Sequence, residues 1–156
     1  ETSIRKVLGS SALIVRTSWL YAKQGNNFVN TMLGLMQTKP ALNVVTDQIA
    51  TPTWAASLAR FLWLAAEQPA ISGIHHYSDA GVASWYDFAI AIQEEALAGG
   101  LLDKPIPMAP VASEDYSQAA KRPAFSVLDK RPTIRSFGIE LTYWRAALRQ
   151  MLGDGY

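Results

Sequence analysis

The chain has 156 residues, 49% of them hydrophobic, with a formal net charge of +1 and no cysteine. Length and apolar content suffice for the core of one domain, and the near-neutral charge, with no basic run, gives no footing for nucleic acid or an anionic membrane surface. The absence of cysteine excludes disulfides, thiolate metal sites and a cysteine nucleophile, and fits a reducing, cytoplasmic setting. Arg5-Lys6 followed by Val7 to Val15 has the outline of a signal peptide, but Gly9-Ser10-Ser11 breaks the apolar stretch and Arg16 ends it without a small-residue cleavage site. No segment approaches the ~20 apolar residues needed to span a bilayer.

Ala12 to Val15 is an uninterrupted apolar run with β-branched residues, the pattern of a parallel strand covered on both faces. Ligands of such sheets bind beyond the carboxyl ends of the strands, so Arg16, Thr17, Ser18, Trp19 and Tyr21 are expected at the mouth of a site. Residues 27–37 place Phe28, Met32, Leu35 and Met36 at helical spacing, with Asn26 or Asn27 as N-cap. A short strand over 42–46 and a loop over 47–52 follow. Thr51-Pro52 then predicts the cap and first residue of a helix running to about Glu67, apolar over enough of its circumference to lie between layers.

Gly73 to Tyr77 reads as another strand, and Ser84 with Asp87 is a capping-box signal for a helix to about Leu97. Pro105, Pro107 and Pro110 predict mostly loop as far as Pro123, a length that suggests a functional flap or edge. Phe125 to Leu128 is a strand candidate, and Thr142 is the expected cap of a final helix bearing Trp144, Ala147, Leu148 and Met151. His75-His76 does not form a metal site, because strand neighbours point to opposite faces and no third histidine exists. Glu94-Glu95 is expected on a solvated helix face. No hydrolase motif of the G-x-S-x-G or H-E-x-x-H kind occurs.

Arg16-Thr-Ser-Trp-Leu-Tyr21, Asn26-Asn-Phe-Val29, Asp47-Gln-Ile-Ala-Thr-Pro-Thr53, Gly73-Ile-His-His-Tyr77, Ser84-Trp-Tyr-Asp-Phe88 and Lys121-Arg-Pro-Ala-Phe-Ser-Val-Leu-Asp129 occur in that order. Together they closely resemble the C-terminal half of the dTDP-4-dehydrorhamnose reductases, which are extended short-chain dehydrogenases/reductases. The resemblance implies an α/β fold comprising the C-terminal part of a Rossmann-like enzyme. Residues 1–156 would form a single fragment, with late Rossmann strands at about 12–16 and 73–77 interleaved with a smaller substrate-binding domain at about 25–70 and, in part, 84–152. The family's G-x-x-G-x-x-G loop and Tyr-x-x-x-Lys pair are absent: no tyrosine here is followed four places later by lysine. The chain therefore reads as a fragment cut just past its catalytic pair, with its first strand exposed at an edge that self-association into a homo-oligomer would cover.

What the resemblance implies about function is part of an NAD(P)H-dependent reductase that converts dTDP-4-dehydro-6-deoxy-L-mannose to dTDP-L-rhamnose. The cofactor, NADPH or NADH, would bind in the missing half, and this chain would supply no catalytic residue and be inactive alone. Trp19 is expected to cover the apolar face of the sugar, and Asn27 and Phe28 to lie beside the nucleotide, with Asn26 free to cap the helix. Gln48, in a polar loop entering a helix N-terminus that suits a diphosphate, is a further expected contact. Arg122 presents a planar fork to the diphosphate, aimed by Pro123. The alternatives are another sugar-nucleotide epimerase or dehydratase of the superfamily, against which Trp19 argues, and a non-catalytic regulatory subunit resembling the methionine adenosyltransferase β subunit.

Overall fold

The computed structural model describes residues 1–116 and 122–153. Strand β1 (Leu13–Arg16) follows a short helix, α1 (Thr2–Leu8), and pairs in parallel with β6 (Gly73–His76), Leu13 opposite Gly73 and Arg16 opposite His76. Three residues after β1 the chain turns at Trp19 into β2 (Leu20–Tyr21), which runs parallel to β5 (Thr53–Trp54). Strand β3 (Leu42–Val45) pairs in parallel with β8 (Met108–Val111), and β4 (Ile49–Ala50) pairs antiparallel with β7 (Ala83–Ser84). The longer helices are α2 (Phe28–Thr38), α3 (Ala55–Ala66), α4 (Trp85–Ala98) and α6 (Trp144–Gly153), with a short α5 (Arg131–Phe137).

The buried side chains fall into two clusters. Phe61, Ala65, Tyr77 and Phe137 pack under β1 and β6, with Phe61 stacked on Tyr77 at 4.5 Å and Phe137 edge-on to Phe61 at 5.1 Å. The larger cluster joins α2, α4 and α6 through Val29, Met32, Phe88, Ile92, Leu148 and Met151. Beside it, Glu95 of α4 is buried and held by Arg145 and Arg149 of α6, with Glu94 also on Arg145. The expected solvated Glu94-Glu95 face is thus an ion-pair clamp between two helices, and the guanidinium groups keep the Glu95 carboxyl below its ordinary value.

Several expectations need correction. Helix α3 starts at Ala55, because residues 53–54 are drawn into β5 and Thr51 is wholly buried with its hydroxyl donating to the Gly81 carbonyl at 2.7 Å. The backbone N–H of Trp54 donates to the Asp79 carboxylate at 3.0 Å, so the chain's own anion fills that helix N-terminus. On its outer side α3 leaves Leu62 and Trp63 exposed, so no described layer covers it there. Residues 108–111 form β8 despite Pro110, which an edge strand tolerates. Residues 125–128 contribute only the bridge of Phe125 to Ile49, and α6 begins at Trp144, one residue beyond the position Thr142 would cap.

Helix α4 opens with the capping box as read: Ser84 Oγ accepts from Asp87 N at 3.0 Å and the Asp87 carboxylate accepts from Ser84 N at 2.9 Å. Replacing Ser84 by Ala should lower stability by about 1 kcal/mol in urea titration. Burial pushes the Asp79 carboxyl up to about 6 from 3.8, against the opposing pull of the Trp54 N–H, Ser57, Arg60 and Lys130. Between those two pH values the folded state keeps a proton that the unfolded chain releases, so this group's contribution falls as pH rises through the window. Stability measured from pH 4 to 7 should show Asp79→Asn gaining on the wild type by roughly 1 to 3 kcal/mol as pH rises, then holding level above about pH 7.

Candidate functional site

The registers of β3·β8 and β4·β7 converge on one loop. Val45 lies opposite Val111, and continuing that parallel register by two residues sets Asp47 against Ser113. Ile49 lies opposite Ser84, and continuing that antiparallel register by one residue sets Gln48 against Trp85. The hydrogen bonds follow. The Asp47 carboxylate accepts from Ser113 N at 3.0 Å and from its hydroxyl at 2.6 Å. Gln48 donates from Nε2 to Ser113 Oγ at 2.8 Å and accepts at Oε1 from Trp85 Nε1 at 3.2 Å. The Ser113 hydroxyl and amide hold the Asp47 carboxyl below its ordinary value.

Trp85 stands at the first position of α4, with its ring stacked on Trp19 at 3.5 Å and 11° and met by Phe28 at 4.6 Å and 47°. This aromatic group lines two neighbouring compartments. The larger, of about 470 Å³, is lined by Asn26, Asn27, Phe28, Trp85 and Tyr116 over an apolar floor that includes Met32 and Leu42. The smaller, of about 340 Å³, is lined by Trp19, Pro123 and Ser126. Gln48 and Arg122 belong to both. Arg122 is exposed and has no ion-pair partner among the described residues.

All five expected contact residues therefore meet at one cleft: Trp19 from the turn after β1, Asn27 and Phe28 from the start of α2, Gln48 from the loop after β3, and Arg122 from the segment beyond β8. Two of them are engaged within the chain. Asn27 is the helix cap, with Oδ1 accepting from Asn30 N at 3.2 Å and Nδ2 donating to the Ala22 carbonyl at 2.8 Å, and Asn26 is the one whose amide has no partner among the described residues. Gln48 is 3% exposed and braces the wall of the cleft. Arg16, expected at the mouth of the site, pairs with Glu1 at 2.7 Å and lines neither compartment. His75 and His76 bond separately to the Ser72 and Asp129 carbonyls, and no metal-binding group occurs among the described residues.

Sequence reasoning missed Trp85, Tyr116, Ser113 and Asp47 as parts of the site. Trp85 lay hidden in the capping-box motif, where the signal concerns the backbone rather than the ring. Ser113 and Asp47 become visible only once the β3·β8 register is known. A dinucleotide does not fit these residues: the N-termini of α2, α3 and α4 are filled by Asn27, Asp79 and the Ser84–Asp87 box, and no glycine-rich phosphate loop occurs in the sequence. Among the described residues no helix is long and apolar enough to cross a membrane.

A family model described as the RmlD substrate binding domain matches residues 1–156. The spore coat polysaccharide biosynthesis protein SpsK of Bacillus subtilis is 45% identical over 142 residues, covering 90% of this chain and 47% of that protein. A dTDP-4-dehydrorhamnose reductase of Aggregatibacter actinomycetemcomitans is 40% identical over 149 residues, covering 92% of this chain and 51% of that protein. Among solved structures, a dTDP-4-dehydrorhamnose reductase from Bacillus anthracis in complex with NADP superposes with a TM-score of 0.85 at 33% identity, over 96% of this chain and 51% of that one. The chain spans about half the length of these relatives. It is an α/β chain with parallel strand pairs, and it belongs to the RmlD substrate binding domain family.

Proposed function

We propose that this chain is the sugar-nucleotide-binding half of an NADPH-dependent reductase that forms dTDP-L-rhamnose from its 4-keto precursor. The observation that carries the reading is the two-compartment cleft with Arg122 at the junction. A nucleoside diphosphate sugar has the same order of parts: a planar base with ribose, a doubly charged diphosphate, and a hexose. The larger compartment, with an apolar floor and aromatic and amide walls, suits the base and ribose. The Arg122 guanidinium, without an ion-pair partner among the described residues, is a planar fork of the kind that takes diphosphate oxygens in pairs. Trp19 offers an indole to the hexose in the smaller compartment, where one apolar sugar face stacks and the hydroxyls bond at the rim.

The chemistry is divided between the two halves of the protein. The nicotinamide supplies hydride to the carbonyl carbon when it is bound in the other half, where the proton donor also belongs. This chain binds and orients: Arg122 fixes the diphosphate, Trp19 the ring plane of the sugar, and Asn26 and Phe28 the nucleotide end, while Asn27 holds the start of α2 beside them. A cytoplasmic setting is part of this reading, and a sequence without cysteine suits it.

In the full-length protein, calorimetry should show dTDP-rhamnose binding selectively over UDP- and GDP-sugars. Arg122→Ala should weaken both dTDP and dTDP-rhamnose by roughly 10- to 100-fold, the loss of one or two charge-assisted hydrogen bonds. Trp19→Ala should weaken dTDP-rhamnose more than dTDP. Equal binding of UDP- and GDP-sugars would overturn the assignment. The 156-residue chain alone should show no NADPH-dependent turnover, and any measurable rate with purified chain would refute the division of labour.

A further inference from the structure

Trp19 is the only non-glycine residue among those described with a positive φ, at 38°. A bulky side chain is unfavourable there, and such backbone persists only where the surroundings over-determine it. The Trp19 carbonyl accepts from Thr53 N at 3.1 Å, and its ring lies flat on Trp85. Trp85 is fixed in turn by Phe28 on one side and by Gln48 through its indole N–H.

The hydrogen bonds beyond Trp85 run in one direction. An indole N–H can only donate, so Gln48 must present its carbonyl to Trp85 and its NH₂ to Ser113. The Ser113 hydroxyl, accepting from Gln48, donates onward to the Asp47 carboxylate. Every donor in the chain Trp85–Gln48–Ser113–Asp47 points toward the one charged acceptor, an arrangement in which each bond polarises and strengthens the next. No member has a second orientation that keeps the same partners.

Resting on the functional reading above, we propose that Trp85 is a positioning residue for Trp19, held in place by the Gln48–Ser113–Asp47 chain. The sugar-facing ring is thereby set by residues that do not touch the sugar.

The test uses the full-length protein and two probes, dTDP and dTDP-rhamnose. Trp85→Leu also trims the wall of the larger compartment, so both probes should weaken, but dTDP-rhamnose should lose roughly tenfold more than dTDP, the scale of one lost aromatic contact. Trp85→Phe should restore most of that difference, and in the double variant Trp19→Ala/Trp85→Leu the ratio of dTDP-rhamnose to dTDP affinity should be no lower than in Trp19→Ala alone. Equal losses for both probes, or an additive fall in that ratio in the double variant, would overturn the positioning role and make Trp85 a contact in its own right. Stacked indoles give an exciton couplet in far-ultraviolet circular dichroism, and Gln48→Leu should diminish it with both tryptophans still present. An unchanged couplet would overturn the part assigned to the hydrogen-bond chain. Should the wild type fail to prefer dTDP-rhamnose over UDP- and GDP-sugars, the substrate reading fails, and the couplet in Gln48→Leu and Trp85→Phe still decides whether Trp85 orients Trp19.

Discussion

Gln48 sits almost wholly out of water, and a buried primary amide left without partners costs about 1 to 3 kcal/mol for each unmet group. That penalty makes it a constraint on its neighbours. The residue lies between β3 and β4, which pair with different partners, so its backbone position is set by two registers at once. A one-residue slip in either pairing would turn alternate side chains to the opposite face and strand the amide. Because Gln48 bonds both the indole at the start of α4 and the serine after β8, the cleft takes its shape only when both registers are correct.

Internal charge compensation has a consequence for anion recognition. The N-termini of α2, α3 and α4 carry partial positive charge that could attract a phosphate, yet each is filled from within the chain. Glu95 similarly consumes Arg145 and Arg149 in holding α4 to α6. Asp129 is paired with Arg131, which lowers its carboxyl well below the usual range. Among the described residues lining the cleft this leaves Arg122, and on the proposed reading the diphosphate would be met by a discrete guanidinium rather than a helix dipole. A planar fork on a proline-flanked backbone is directional in a way that a helix terminus is not.

Legibility in the sequence follows the range of the interaction. Strands β1 and β6, helices α2 and α4 and the capping box were readable because apolar period and cap chemistry are local. The start of α3 was misread because Thr51 and Pro52 carry a genuine local signal that the distant Gly81 and Asp79 override. Strand β8 was hidden by its prolines, whose cost is small at an edge. Helix α5 was missed although Pro132 at its start and the left-handed Gly138 at its end were there to be read. The site residues came from motif resemblance, and their roles were mostly beyond it. Whether Asn26 or Asn27 caps α2, and whether Gln48 touches a ligand or braces a wall, depends on partners 2 to 65 residues away.

The strain at Trp19 gains its meaning from this frame. A non-glycine residue held at positive φ costs on the order of 1 to 3 kcal/mol, and a well-stacked aromatic pair returns about 0.5 to 1.5 kcal/mol beyond its buried area. The two nearly offset, so the conformation adds little net stability, and a fold selected for stability alone would place glycine or asparagine at that turn. What the arrangement does supply is a ring already ordered before any ligand arrives. Immobilising a rotamer-rich side chain on binding costs about 0.5 to 1.5 kcal/mol, a cost met during folding here through the stack on Trp85. The same holds for the amide of Gln48 and the hydroxyl of Ser113, each locked by partners within the chain. Arg122, exposed and without an ion-pair partner among the described residues, is the contrasting case: on the proposed reading its ordering would come at the moment of binding, where a charge-assisted bidentate contact is strong enough to offset it.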